Sequence, residues 1–182
     1  SGFKAKVNAN NRLYVNAITE TDALRSTDLG NSYNINTGLV SLTAATESTV
    51  AYLKNNEDQT LVIETLIVGV GTMDTPTEAV IITAVRNPTS VSFSTAVDMN
   101  QNKNFGSSKT LTADAYKGAE AATTTGGSDI ALFMGYPSTR SEFPINFELT
   151  KSDSIAIQID CNEASGVDVY VAFVVHLKDA NE

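Results

Sequence analysis

The chain of 182 residues has few of the side chains on which metal and redox sites are usually built. Its single cysteine, Cys161, excludes an intrachain disulfide and a cysteine-rich zinc site. Its single histidine, His176, excludes a metal centre made of several histidines. Tryptophan is absent, and no apolar run approaches the roughly 18 residues of a membrane-spanning helix. The sequence therefore predicts neither a disulfide framework nor a membrane partner.

Basic residues are also scarce. The chain has 12 lysines and arginines against 21 acidic residues, which gives a net charge of −9. Nucleic-acid binding depends on lysine and arginine neutralising phosphates, so this balance argues against a nucleic-acid partner. Serine, threonine and asparagine are abundant instead. This composition is typical of a β-rich, turn-rich chain with a binding or structural role.

The last forty residues alternate between apolar and polar side chains in three segments, over residues 143–149, 155–161 and 167–177. A period of two predicts three β-strands, each with one buried face. The third segment also has apolar residues on its other face, which predicts a central strand. If the first two segments pair as a hairpin, Leu149 faces Ile155.

Earlier segments are more continuously apolar. Residues 61–71 and 79–85 are rich in β-branched side chains and are flanked by glycine or proline, which favours strands over buried helices. Shorter strands are predicted at 39–43, 49–54 and 90–94, and residues 22–28 are predicted to form one or two helical turns. About eight to ten strands without a long helix indicate an all-β, antiparallel β-sandwich of jelly-roll-like type.

Two segments stand apart from this pattern. Residues 1–30 are polar and asparagine-rich, and they predict an extended N-terminal arm that precedes a β-sandwich domain at 31–182. Residues 97–128 contain few large apolar side chains. A gap of this length inside a compact domain is either a tolerated surface insertion or a loop that orders on a partner.

The residues that could carry chemistry are isolated, so no catalytic, cofactor-binding or metal-binding residue is predicted. His176 shares a strand face with apolar neighbours, and Cys161 continues the apolar phase of its strand, so both are interpreted as structural. Asp160 and Asp168 would be directly opposed if their strands paired through Cys161 and Val167. A shifted register, two different sheets or a bound cation would relieve that repulsion.

Three phrases of the sequence carry a resemblance, at residues 7–17, 33–38 and 48–57. In this order they resemble small virion proteins of tailed bacteriophages, the head decoration or cement class, over roughly residues 7 to 70. The resemblance implies a non-enzymatic β-sandwich that stabilises the capsid from outside, without a cofactor. Its implied partners are copies of itself, as a homotrimer, and the major capsid protein. Its implied location is the capsid exterior, after synthesis in the bacterial cytoplasm.

Two segments are the candidates for partner contact in this interpretation. An N-terminal arm could add a strand to an exposed sheet edge of a neighbour. The predicted contact residues are Arg12, Leu13, Tyr14 and Val15 in the arm, and Asn102 and Phe105 in the long loop. The alternative function is a carbohydrate-binding or adhesin-type module, which would use residues 100–105 or the tyrosines dispersed along the chain.

Overall fold

The structure is a computed structural model, and it describes residues 21–43, 46–73, 79–98, 101–161 and 166–178. These ranges contain one short helix, α1 (Asp22–Asp28), and no helix long and apolar enough to cross a membrane. The strands in the same ranges are β1 (Ser32–Asn36), β2 (Val40–Leu42), β3 (Ser48–Asn55), β4 (Leu61–Val70), β5 (Val80–Arg86), β6 (Ser90–Val91), β7 (Thr95–Ala96), β8 (Ala113–Lys117), β9 (Thr124–Thr125), β10 (Ser128–Gly135), β11 (Thr139–Leu149), β12 (Ser154–Asp160) and β13 (Val167–Leu177).

The strands form two main antiparallel sheets that pack against each other. The first, called here the β13 sheet, has the order β1–β13–β4–β11, and β2 also pairs with β13. The second, the β12 sheet, has the order β10–β5–β12–β3–β8–β7. A small additional sheet is formed by β6 and β9. The predicted all-β antiparallel sandwich is therefore confirmed, and the jelly-roll arrangement stays a prediction.

The core lies between the two sheets and is built from alternate residues of their strands. The inward residues of β12 and β13 are fully or almost fully buried, as their alternation predicts; they are Ile155, Ile157, Ile159, Val167, Val169, Val171, Phe173, Val175 and Leu177. Cys161 continues the β12 row and is also buried. Because β13 is paired on one side with β4 and on the other with β1 and β2, its predicted central position is confirmed.

The hairpin considered for residues 143–161 does not form. β11 pairs with β4 in the β13 sheet, whereas β12 pairs with β3 and β5 in the β12 sheet. The turn after Leu149 thus carries the chain from one layer to the other. Both strands have an apolar face, and both faces meet in the same core from opposite sides. Asp160 and Asp168 belong to different sheets for the same reason, so their strands do not pair.

The long segment 97–128 has more regular structure than its sequence indicates. It contains β8 and β9, and β8 pairs with β3 in the β12 sheet. The buried residues of β8, Ala113 and Ala115, are too small to produce a strong hydrophobic pattern. The strand predicted at 90–94 is shorter than expected, since β6 contains only Ser90–Val91.

The helix predicted at residues 22–28 is confirmed. Thr21 caps it, and the Thr21 Oγ1 accepts a hydrogen bond from the Leu24 amide at 3.3 Å. Ser26 on its buried side donates from Oγ to the carbonyl of Leu177 at 3.4 Å. The helix is therefore joined to the end of β13.

Candidate interaction surface on the sandwich edge

Among the described residues, a row of exposed apolar side chains lies on β10, at one edge of the β12 sheet. Every second residue along this strand faces solvent, and the row ends just beyond it. These side chains are between 43% and 65% exposed; they are Ile130, Leu132, Met134 and Tyr136. Ile81 of β5 extends the row sideways, because it pairs with Met134 and is 41% exposed. The five residues together are called the β10 edge below.

The backbone of β10 adds unpaired hydrogen-bonding groups to the same surface. In the described ranges β10 is paired with β5 along one side only, so its other side presents unpaired peptide groups. Soluble proteins normally protect such edges with charges, proline or a covering segment. Between Ser128 and Gly135 the only charged residue is Asp129. A row of exposed apolar side chains on an open strand is typical of a surface that another molecule covers.

Aromatic side chains pack beneath the β10 edge, because β10 and β11 lie on the same side of the sandwich. The rings of Phe133 and Phe143 contact across this side with their centroids 4.6 Å apart. Phe143, Ile145 and Phe147 of β11 pack against the core but remain half-buried, since β11 is itself the last strand of its sheet. The turn at residues 136–138 joins the two strands. The edge is consequently held in place by aromatic packing beneath it.

Beside this base, a depression of about 400 Å³ opens between the two layers. Its apolar walls come from both sheets, and its rim carries opposite charges. The residues that line it include Ile130, Phe147, Leu149, Ile155, Arg86 and Asp153. The depression lies on the β10–β11 side of the sandwich, next to the β10 edge.

The acidic residues near the β10 edge repel one another. Burial, together with the neighbouring charges of Asp160 and Asp129, raises the pKa of Glu47. Gln158 donates a hydrogen bond from Nε2 to Glu47 Oε1 at 2.8 Å. The described residues contain no group of three or more histidine, cysteine or acidic side chains placed to hold a metal ion.

His176 has the environment of a structural residue. It is only 6% exposed, and its Nδ1 lies 2.6 Å from Oε1 of Glu64 on the neighbouring strand β4. Asp168, at the opposite end of β13, accepts a short hydrogen bond from the Ser41 hydroxyl. Each of these polar groups therefore has a partner within the β13 sheet.

The two predicted contact residues of the long loop have different surroundings. Asn102 is buried, and its Nδ2 donates to the carbonyls of Gly30 at 2.7 Å and Lys109 at 3.2 Å. Its Oδ1 accepts from the Asn104 amide at 2.9 Å, so its amide is fully engaged inside the chain. Phe105, by contrast, is 100% exposed. Of the two, only Phe105 has a solvent-exposed side chain.

The four predicted contact residues of the arm lie outside the described residues; they are Arg12, Leu13, Tyr14 and Val15. Sequence reasoning did not identify the β10 edge. A signal was present, because Ile130, Leu132 and Met134 alternate with Ala131 and Phe133 in one short run. Such a run also describes a strand buried on both faces, so it does not by itself indicate exposure.

The candidate surface thus consists of an open strand, a row of uncovered apolar side chains and an aromatic base that holds both. Its chemistry suits contact with another macromolecule. Comparison of the chain with protein-family models, with curated proteins and with solved structures finds no match.

Proposed function

We propose that this chain is a non-enzymatic structural protein that binds the outer surface of a tailed-phage capsid as an oligomer. Two observations support this proposal, one from the sequence and one from the structure. The resemblance of residues 7–70 to head decoration proteins supplies the biological setting. The β10 edge supplies the physical requirement for a partner.

The β10 edge is the observation that carries the proposal. Removing apolar surface from water contributes roughly 25 cal/mol per Å², and these side chains are already held in place by the strand. Little backbone freedom is then lost when a partner covers them. The five side chains of the edge are uncharged, in a chain of net charge −9. A neighbouring copy can therefore cover the row without burying a charged side chain of the edge.

The proposed occupant of the β10 edge is a second copy of the chain. A homotrimer is the closed form favoured here, because a ring of three matches a local three-fold axis of a capsid. In such a ring the β10 edge of one copy meets a different surface of the next. Repeated weak contacts between the trimer and the major capsid protein then add through effective concentration.

The predicted contact residues would serve the capsid side of this assembly. Phe105 is a fully exposed aromatic side chain, and aromatic residues are enriched where protein interfaces gain most of their energy. The arm residues at 12–15 would add a strand to a neighbouring sheet edge. The acidic surface fits the outside of a capsid better than a surface that faces packaged DNA.

Light scattering on the purified full chain tests the oligomer, and electron microscopy of antibody-labelled virions tests the location. The expected results are a concentration-dependent trimer and label on the capsid exterior. A chain that remains monomeric at high concentration and has no affinity for capsids would contradict the proposal.

A further inference from the structure

The outer face of the β13 sheet carries two adjoining depressions. Their volumes are about 410 and 460 Å³, within the size range of small-ligand sites. Both are lined by Leu39, Arg140 and Tyr170. A ligand longer than one depression can therefore contact the same three side chains at its middle. This surface is called the Tyr170 face below.

Tyr170 has a fixed position on this face because of Gly69. Gly69 pairs with Tyr170 on β13 and with Arg140 on β11, so both side chains emerge on the same side of the sheet. A Cβ atom at Gly69 would lie 1.9 Å from Cε1 of Tyr170. The ring therefore lies directly over the glycine, and a side chain at that position would displace it.

Amide groups surround the first depression. Asn34 and Asn36 of β1 are exposed. Gln101 lies beside them, because the backbone N–H of Asn34 donates to the backbone carbonyl of Gln101 at 2.9 Å. The Asn36 Oδ1 accepts from the Gly38 amide at 2.8 Å. The side chains of Asn34 and Gln101 and the Tyr170 hydroxyl make no hydrogen bond within the described part of the chain. They offer both donors and acceptors to a ligand.

The floor of the first depression is apolar and its charge is balanced. Ile67, Ala172 and Val174 form the floor. The guanidinium Nη2 of Arg140 lies 2.6 Å from Oε1 of Glu142, so its positive charge has a partner on the same strand. The only acidic side chain that lines the second depression, Asp168, accepts a hydrogen bond from the Ser41 hydroxyl. Amide groups around the apolar floor of the neutral first depression suit a ligand that has hydroxyl groups at its periphery and C–H groups on its faces.

We infer that the Tyr170 face binds an uncharged oligosaccharide. Sugar hydroxyls would bond to the amides of Asn34 and Gln101, and the C–H face of a sugar ring would pack on Tyr170. Successive sugar units would occupy the two depressions on either side of Tyr170 and Arg140. The site adds a binding activity to the proposed capsid function and does not depend on it.

A glycan array probed with the full chain gives the first test, followed by calorimetric titration with cellohexaose, mannohexaose and chitohexaose. At least one neutral oligosaccharide is expected to bind at millimolar concentration or below. Sulfated or sialylated glycans are expected to bind no more tightly than their neutral counterparts, because Arg140 is already paired. Binding confined to anionic glycans would overturn the inference.

Matched variants test whether the binding uses this face. The double variant Asn34→Ala/Gln101→Ala and the single variant Tyr170→Ala are each expected to weaken binding about tenfold or more. Tyr136→Ala, which removes an exposed tyrosine from the β10 edge, is expected to leave it unchanged. If Tyr170→Ala fails to fold, Tyr170→Phe keeps the ring over Gly69 and still removes the hydroxyl, so weaker binding remains the expected result.

Three further results would also overturn the inference: no neutral oligosaccharide binds at millimolar concentration, binding is unaffected by the Asn34/Gln101 and Tyr170 substitutions, or those substitutions abolish capsid binding in a chain that binds no glycan. The third would assign the face to protein contact. The capsid proposal fails separately, since it predicts the oligomeric state and the location of the chain, neither of which the Tyr170 face determines.

Discussion

Asn55 is a buried side chain whose amide joins parts of the chain that are distant in sequence. Its Nδ2 donates to the carbonyls of Gln59 and Leu149, each at 2.9 Å, and its Oδ1 accepts from the Glu57 amide at 2.9 Å. Asn55→Ala leaves these groups without their partner, and we expect it to lower the free energy of unfolding by about 2–4 kcal/mol. Urea denaturation measures the change.

The neighbouring Asn56 provides the control for this prediction. Its side chain makes no hydrogen bond to the described part of the chain, and Asn56→Ala is expected to change the free energy of unfolding by no more than about 0.5 kcal/mol. Equal effects of the two substitutions would show that Asn55 does not hold the turns together.

Asp153 stabilises the turn between β11 and β12 through its ionised form. Hydrogen bonds from the Thr150 hydroxyl, from Asn87 Nδ2 at 2.8 Å and from the Thr150 amide at 3.0 Å lower the pKa of its carboxyl. A lowered pKa contributes stability that is present above the unfolded value, about 3.9, and is lost as the pH falls through the folded value. Asp153→Asn should therefore destabilise by about 1 kcal/mol at pH 7 and by less in acid.

Denaturation curves at several pH values measure this difference. Asp58, whose exposed carboxylate pairs with Lys151 at 2.6 Å, serves as the comparison, and Asp58→Asn should have the smaller effect at neutral pH. A loss from Asp153→Asn that is the same at every pH would point to altered packing instead of lost charge.

At the scale of elements, β10 is the strand on which self-association should depend. Leu132→Glu places a negative charge in the middle of the apolar row, and that charge would lose its water when the neighbouring copy covers the edge. We expect the dissociation constant of the oligomer to rise about tenfold or more, with the free energy of unfolding almost unchanged because Leu132 is 65% exposed. Sedimentation equilibrium measures the constant.

Leu24→Glu is the matched control, since Leu24 is 54% exposed on α1 and the substitution adds the same charge to the whole chain. If both variants weaken association equally, the cause is net charge and the β10 edge is not the interface.

Strands with a strong alternation of large apolar and polar residues were predicted from the sequence, and a strand with a weak alternation was not. β12 and β13 bury β-branched or aromatic residues at alternate positions, and both lie where the alternation places them. β8 buries only alanines on its inner face, which gives little signal. The pairing of β11 with β4 was also missed, because local alternation determines which face of a strand is buried but not which strand lies beside it.

At the scale of the whole molecule, substitutions at two phenylalanines distinguish residues that stabilise the fold from residues that contact a partner. Phe173 is 1% exposed in the core, and Phe173→Ala should cost about 3–5 kcal/mol of unfolding free energy. Phe105 is fully exposed, and Phe105→Ala should change stability by less than about 0.5 kcal/mol. If the loop contacts a capsid, the same substitution should weaken capsid binding about tenfold. Denaturation and capsid co-sedimentation measure the two effects.

The sequence by itself determined the all-β class, the buried faces of the strongly alternating strands and the structural character of Cys161. These follow from a period of two, which is a local property of the chain. Only the tertiary structure decided that β10 lies at an edge with its apolar row uncovered, and that Asn34, Arg140 and Tyr170 share one face. Strand partners such as β1 and β13 are far apart in sequence, and pairing across that distance depends on how the complete core packs.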